Sequence, residues 1–186
     1  VHHYITPTLL INLFADQPAN DPTFVGISEP VLVDGDGIEV IGITFGVVRF
    51  VVFFADVLAY ADGDLEWIRE TAEEWANGFT PAPHSRLVKF MRAEADAETM
   101  FDPQSWPLPE PGMIWQFCDV LAKSLVIHAG TYQNVPQYFF MPQSGQLDLL
   151  YNRLGKQFGK GRYGPRFRCV ACPDQDKGGF YGFERA

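Results

Sequence analysis

A chain of 186 residues with 47% hydrophobic and 20% charged side chains is long enough to close a substantial core and too apolar to remain disordered. Its net charge of −9 argues against adhesion of the whole surface to DNA or to an anionic membrane, so nucleic acid is not an expected partner. The charge is also divided along the chain. Residues 1–150 carry 20 Asp/Glu and 6 Lys/Arg, whereas residues 151–186 carry 8 Lys/Arg and 3 Asp/Glu. An acidic body thus ends in a basic appendix that either meets something anionic or neutralises the body itself.

Three cysteines are too few for a disulfide framework. Cys118 lies in an apolar run and Cys169 and Cys172 form one C-x-x-C, a usage that fits a reducing, cytoplasmic setting. The start, Val1-His2-His3-Tyr4-Ile5, has no basic segment of the kind that opens a secretory signal. The run Val40–Ala55 is shorter than the ~20 residues of a membrane-spanning helix and holds Arg49 at its middle. Its β-branched and aromatic content predicts buried strand instead.

The first section, residues 1–61, is predicted to be β-rich. Val31-Leu32-Val33 and Ile38-Glu39-Val40-Ile41 flank Asp34-Gly35-Asp36-Gly37, whose glycines suit a tight hairpin. The paired aspartates lack the third ligand of a calcium loop, since Ile38 occupies that place. Phe45–Ala55 is expected as a central strand with Gly46 as a bulge.

Residues 62–130 are predicted to be helical. Leu65, Ile68, Ala72, Trp75 or Ala76, and Phe79 recur at helical spacing, with Glu66, Glu70, Glu73 and Glu74 opposite them as a solvated face. Thr80-Pro81 resembles an N-cap followed by proline at the first helical position, leading into a helix that carries Leu87, Phe90 and Met91. Phe101–Pro111, with four prolines, is a loop in which Trp106 is a lid, an interface contact or a peg into the core. Met113–His128 is apolar nearly all round, so it should be a buried helix on which the N-terminal antiparallel sheet packs. Cys118 is then a core residue, and His128 favours the helix dipole.

Residues 135–186 are expected to run strand, helix, strand, strand. Val135–Met141 is the first strand, and Ser144 caps a helix whose stripe is Leu147, Leu150, Tyr151, Leu154 and Phe158, closed by Gly159. Phe167–Ala171 and Phe180–Phe183 form the terminal pair. The expectation for residues 1–186 is therefore one α+β domain, mainly antiparallel sheet packed against several helices.

Chemistry is sparse. Gly155-Lys156-Gln157-Phe158-Gly159-Lys160-Gly161 has neither the spacing nor the Ser/Thr of a phosphate loop, and it follows a helix instead of opening one. Cys169 and Cys172 lack the further cysteines or spaced histidines of a closed zinc site, so metal-free thiols are expected and no metal site is assigned. Arg162, Arg166 and Arg168 are the candidate anion-binding residues, because long cationic side chains in a glycine-containing loop stay solvated.

Tyr138-Phe139-Phe140-Met141-Pro142, Ser144 and Leu149-Leu150-Tyr151-Asn152-Arg153-Leu154-Gly155, in this order of elements, resemble the C-terminal part of GNAT-type acyltransferases over about 50 residues. The resemblance implies acyl-CoA as cofactor and Tyr151 as a general acid near its sulfur. The family's pyrophosphate pattern, Q-x-x-G-x-G/A, is absent after Phe53-Phe54-Ala55-Asp56.

Two functions of different class follow. The first is a small acidic, non-catalytic protein-binding module of the immunity, inhibitor or phage and mobile-element accessory type. It needs no cofactor and uses aromatics such as Trp67, Trp106 and Trp115 against a basic protein partner. The alternative is a GNAT-like acyltransferase, or a degenerate relative, whose basic C-terminal segment contacts coenzyme phosphates.

Overall fold

The computed structural model describes residues 5–18, 21–33, 37–60, 70, 80–100, 102–173 and 179–186. The elements in chain order are α1 (Pro7–Leu13), β1 (Val25–Ile27), β2 (Val31–Val33), β3 (Ile38–Phe45), β4 (Val48–Asp56), α2 (Val57–Tyr60), β5 (Arg86–Arg92), α3 (Met113–Thr131), β6 (Gln137–Phe140), α4 (Gly145–Gly159), β7 (Phe167–Ala171) and β8 (Tyr181–Arg185). The fold is α+β; among the described residues eight strands run in the order β1-β3-β4-β5-β6-β8-β7, with β2 also paired to β3. β5 and β6 pair in parallel, Arg86 with Tyr138 and Leu87 with Phe139, and the chain runs through α3 between them, as parallel neighbours require.

Residue contacts gather into two compact units, Val1–Phe53 with Lys89–His128, and Phe54–Val88 with Ala129–Ala186. In the first, β3 is buried at every position after Ile38 and β4 is nearly so, which is the signature of strands covered on both faces. Thr6 caps α1 by accepting from the Leu9 amide at 3.1 Å, with Pro7 at the first helical position. That helix lays Leu13 and Phe14 on Val40, Val51, Phe53 and Met91. A Cβ on Gly42 would stand 3.0 Å from the Phe14 ring, so the close approach needs glycine.

The other face is covered by α3. The Phe117 ring lies 4.7 Å from Phe50, 4.8 Å from Phe90 and 6.0 Å from Phe45. His128, one helical face along, meets Glu39 of β3 at 3.2 Å, and both are buried. The expected packing of the N-terminal sheet on Met113–His128 is therefore present, with Leu121, Leu125 and Cys118 fully buried.

In the second unit α4 packs on β6, β7 and β8 through aromatic rings. Tyr151 lies 4.9 Å from Phe140, and Phe158 lies 4.9 Å from Phe167 and 5.7 Å from Phe183. Ser144 caps the helix as expected, accepting from Leu147 at 3.3 Å, while Asp148 and Lys156 sit at the ends that suit its dipole. The helix runs through Gly159 to a cap at Lys160, and it is Gly161 that takes positive φ.

Three expectations are corrected. Leu87, Phe90 and Met91 belong to strand β5, not to a helix, because Pro83 forces Ala82 away from helical backbone just after Thr80-Pro81. Gly46 is not a bulge within one strand. It is the first residue of the two-residue loop Gly46–Val47 joining β3 to β4, and its φ of 63° is what a type II′ hairpin turn demands. The N-terminal section also contains helices α1 and α2 besides its strands. The hairpin at Asp34–Asp36 and most of the helix proposed for 62–79 lie outside the described residues; Glu70 is helical and exposed.

Replacing His128 by Leu is expected to cost about 3 kcal/mol in urea unfolding, because a buried carboxylate loses the imidazole facing it. The Glu39→Leu/His128→Leu pair should cost less than His128→Leu alone, and a larger loss in the pair would show that Glu39 is not held as an anion. Leu121→Asp should abolish folding outright by burying a carboxylate under α3; a variant with normal far-UV dichroism and melting would remove α3 from the core.

Candidate functional site

The residues singled out in the sequence do not converge. Tyr151 is buried within the α4 stripe, its ring against Phe140 and Tyr181, and burial raises its phenol well above the ordinary value. Arg168 is committed to Glu184 on the neighbouring strand. Arg162 and Arg166 are exposed and make no ion pair among the described residues. The Arg162 guanidinium lies 5.8 Å from the Tyr163 ring centre, and the stem of Arg166 lies against Gly161. The three candidate arginines thus divide into one that neutralises the protein's own acid and two that face solvent. His128 is buried and serves Glu39. Trp106 is half-buried, donating its indole N–H to Thr99 at 2.9 Å with the Arg92 guanidinium 5.8 Å from its ring. Trp115 is exposed, and Trp67 falls outside the described residues.

A polar cluster that the sequence did not single out lies in the second unit. Asp56, at the end of β4, accepts from the Leu58 amide at 2.9 Å and so starts α2. Its other oxygen takes the Arg86 guanidinium at 3.0 Å and His84 Nδ1 at 3.3 Å. Asp56 and Arg86 are 14% and 10% exposed at the side chain, whereas His84 is 68% exposed. With Nδ1 turned to the carboxylate, Nε2 is the nitrogen left for an outside proton or ligand. His84 also has φ of 66°, the one non-glycine residue with positive φ among the described residues.

Gln137 of β6 holds the chain around His84. Its Oε1 accepts from the Ala82 amide at 2.9 Å and from Ser85 Oγ at 3.4 Å, and its Nε2 donates to Glu184 at 3.0 Å. The relay continues from Glu184 to Arg168. No motif announces this cluster, because Asp56 is 28 positions from His84 and Gln137 is 55 from Ala82, and they meet only through strand pairing. The one local signal is Pro81-Ala82-Pro83, which excludes helix and leaves His84 in a turn.

The second feature is apolar and lies in the first unit. β1 and β2 both pair with the same edge of β3, Val25–Ile27 against Ile43–Phe45 and Val31–Val33 against Ile38–Val40. No strand lies outside them among the described residues. On this margin Leu32 is 59% exposed and Val25 56%, with Val31 also exposed; Val47 in the β3–β4 turn is 59% exposed, and Ile11 projects from α1. The recess lined by Ile5, Met91, Ala95, Asp96, Ala97 and Met100 holds about 190 Å³, below the ~300–1,000 Å³ of most small-molecule sites. Among the described residues no helix is long and apolar enough to cross a membrane, and no group of three or more His, Cys, Asp or Glu could hold a metal ion.

Glu184 gives a pH test of the Gln137 relay. The hydrogen bond from Gln137, and then Arg168, hold its carboxyl below the ordinary value of 4.5. The stability it contributes is complete above that value and is lost as pH falls through the lowered folded value. Glu184→Gln should therefore flatten the fall of melting temperature below pH 4.5 while leaving its behaviour near neutrality unchanged in slope; parallel acid limbs in both proteins would remove the relay from the acid response. Compared with known proteins, the chain matches no family model, no curated protein and no solved structure.

Proposed function

We propose that the protein is a non-catalytic protein-binding module that takes an extended partner segment, apolar and basic in character, along the β1/β2 margin. The observation that carries this reading is the exposed large apolar side chains Val25, Val31 and Leu32 on the two margin strands, with Val47 in the turn that follows β3. Isolated exposed hydrophobics need no explanation, but a run of them along one sheet edge marks a contact surface. The edge backbone offers hydrogen bonds to an added strand, and the side chains offer apolar burial.

Charge selects the partner. Residues 1–48 contain Asp16, Asp21, Glu29, Asp34, Asp36 and Glu39 and no Lys or Arg at all. Lysines or arginines flanking the apolar residues of a partner strand would complement that field and hasten encounter, whereas an acidic segment would be repelled. A small acidic module of the immunity, inhibitor or phage and mobile-element accessory type fits this chemistry.

A second reading, acyl transfer from acyl-CoA, draws support from the parallel β5–β6 pair followed by α4 and the β7–β8 hairpin, and from the exposed His84 imidazole beside Asp56 as a base. Against it, Tyr151 is enclosed by the α4 core, so a general acid there would need the coenzyme sulfur to enter that core.

A partner captured on the full chain should leave a hydrogen-exchange footprint over residues 25–33 and 46–48. The Leu32→Lys/Val47→Lys variant should weaken capture at least tenfold without loss of melting temperature. A footprint confined to other segments, or capture undiminished by the variant, would reject the margin as the binding site. A rise in melting temperature with excess acetyl-CoA, absent in His84→Ala, would favour the second reading instead.

A further inference from the structure

We propose that Cys169 and Cys172 form a reversible dithiol–disulfide site that exchanges with low-molecular-weight disulfides of the glutathione class. This site lies in the second unit and does not depend on the reading given for the β1/β2 margin. Alternation along a regular strand would set the side chains of Cys169 and Cys172 on opposite faces, because they are an odd number of residues apart. The register of β7 on β8 breaks that alternation: Cys169 pairs with Phe183, and Ala171, two residues on, pairs with the adjacent Gly182. The extra residue is a bulge, and Cys172 follows directly where the strand ends. Both thiols are free and exposed, and their sulfurs are 2.8 Å apart. A disulfide bond of about 2.05 Å therefore closes by small side-chain rotations.

The two thiols are not equivalent. Cys169 donates to the Ala171 carbonyl at 3.1 Å, and burial together with the neighbouring Cys172 sulfur pushes its pKa up to about 12. The Ala171 carbonyl holds the Cys169 hydrogen, so the first attack is assigned to Cys172, which follows the end of the strand. The Cys172 thiolate attacks one sulfur of RS–SR, forming a Cys172–SR mixed disulfide and expelling RS⁻, which leaves as RSH with the proton Cys172 gave up. Cys169 then loses its proton as its sulfur attacks Cys172 Sγ, and the second RS⁻ departs with that proton as RSH. The protein loses two electrons and two protons, and RS–SR gains them. Cys118, buried on the inner face of α3, takes no part.

Oxidised glutathione is the probe, added to the full chain with intact mass and peptide mapping as readouts. The expected product is lighter by two hydrogens, carries the bond between Cys169 and Cys172, forms equally in Cys118→Ser and reverts fully with dithiothreitol. Cys169→Ser should stop at a stable glutathione adduct on Cys172, since the resolving thiol is gone, whereas Cys172→Ser should react at least tenfold more slowly. The proposal is overturned if the natural chain accumulates glutathione adducts without closing the ring, or if no thiol reacts. It is equally overturned if the purified protein holds stoichiometric zinc through these two cysteines.

Discussion

Strands β3 and β4 are covered on both faces, by α1 on one side and α3 on the other, and this double burial sets the terms for the surrounding chain. A strand with no solvent face does not alternate apolar and polar residues, so β3 and β4 are built mostly from Val, Ile and Phe. The polar groups left inside must be matched. Glu39 meets His128, Thr44 meets Gln17, and no buried side-chain nitrogen or oxygen among the described residues is without a partner. Glycine appears where a helix presses closest, at Gly42 under Phe14 and Leu13.

The same constraint explains where apolar surface escapes. Covering helices reach the middle of the first unit's sheet, and the three-residue strands β1 and β2 at its margin are left with Val25, Val31 and Leu32 in solvent. Short edge strands discourage indiscriminate pairing between copies.

The second unit follows different rules. Aromatic rings from α4, β6, β7 and β8 fill its interior, and its polar groups are drawn into one relay from Arg168 through Glu184 and Gln137 to the turn at His84. That relay over-determines the turn, so His84 keeps a backbone conformation that a free histidine would avoid at a cost of roughly 1 kcal/mol.

Much of the local structure was legible in the residues themselves. The Ser144 cap, the α4 stripe, the apolar α3 and the strand character of Val40–Ala55 are periodic or capped patterns, and patterns within ten or twenty residues survive into the fold because they rest on local backbone sterics and on which face is apolar. Thr6-Pro7 and Thr80-Pro81 carry the same two-residue signal, yet only the first begins a helix; Pro83 stops the second, and pairing of β5 on both flanks then overrides helical spacing at Leu87, Phe90 and Met91. Only the tertiary structure brought Asp56 to His84, Gln137 to Glu184, Glu39 to His128 and the Cys169 sulfur to Cys172. The first three join residues far apart in sequence, and the last depends on a bulge fixed by a partner strand, so each arises from strand register that no local pattern encodes.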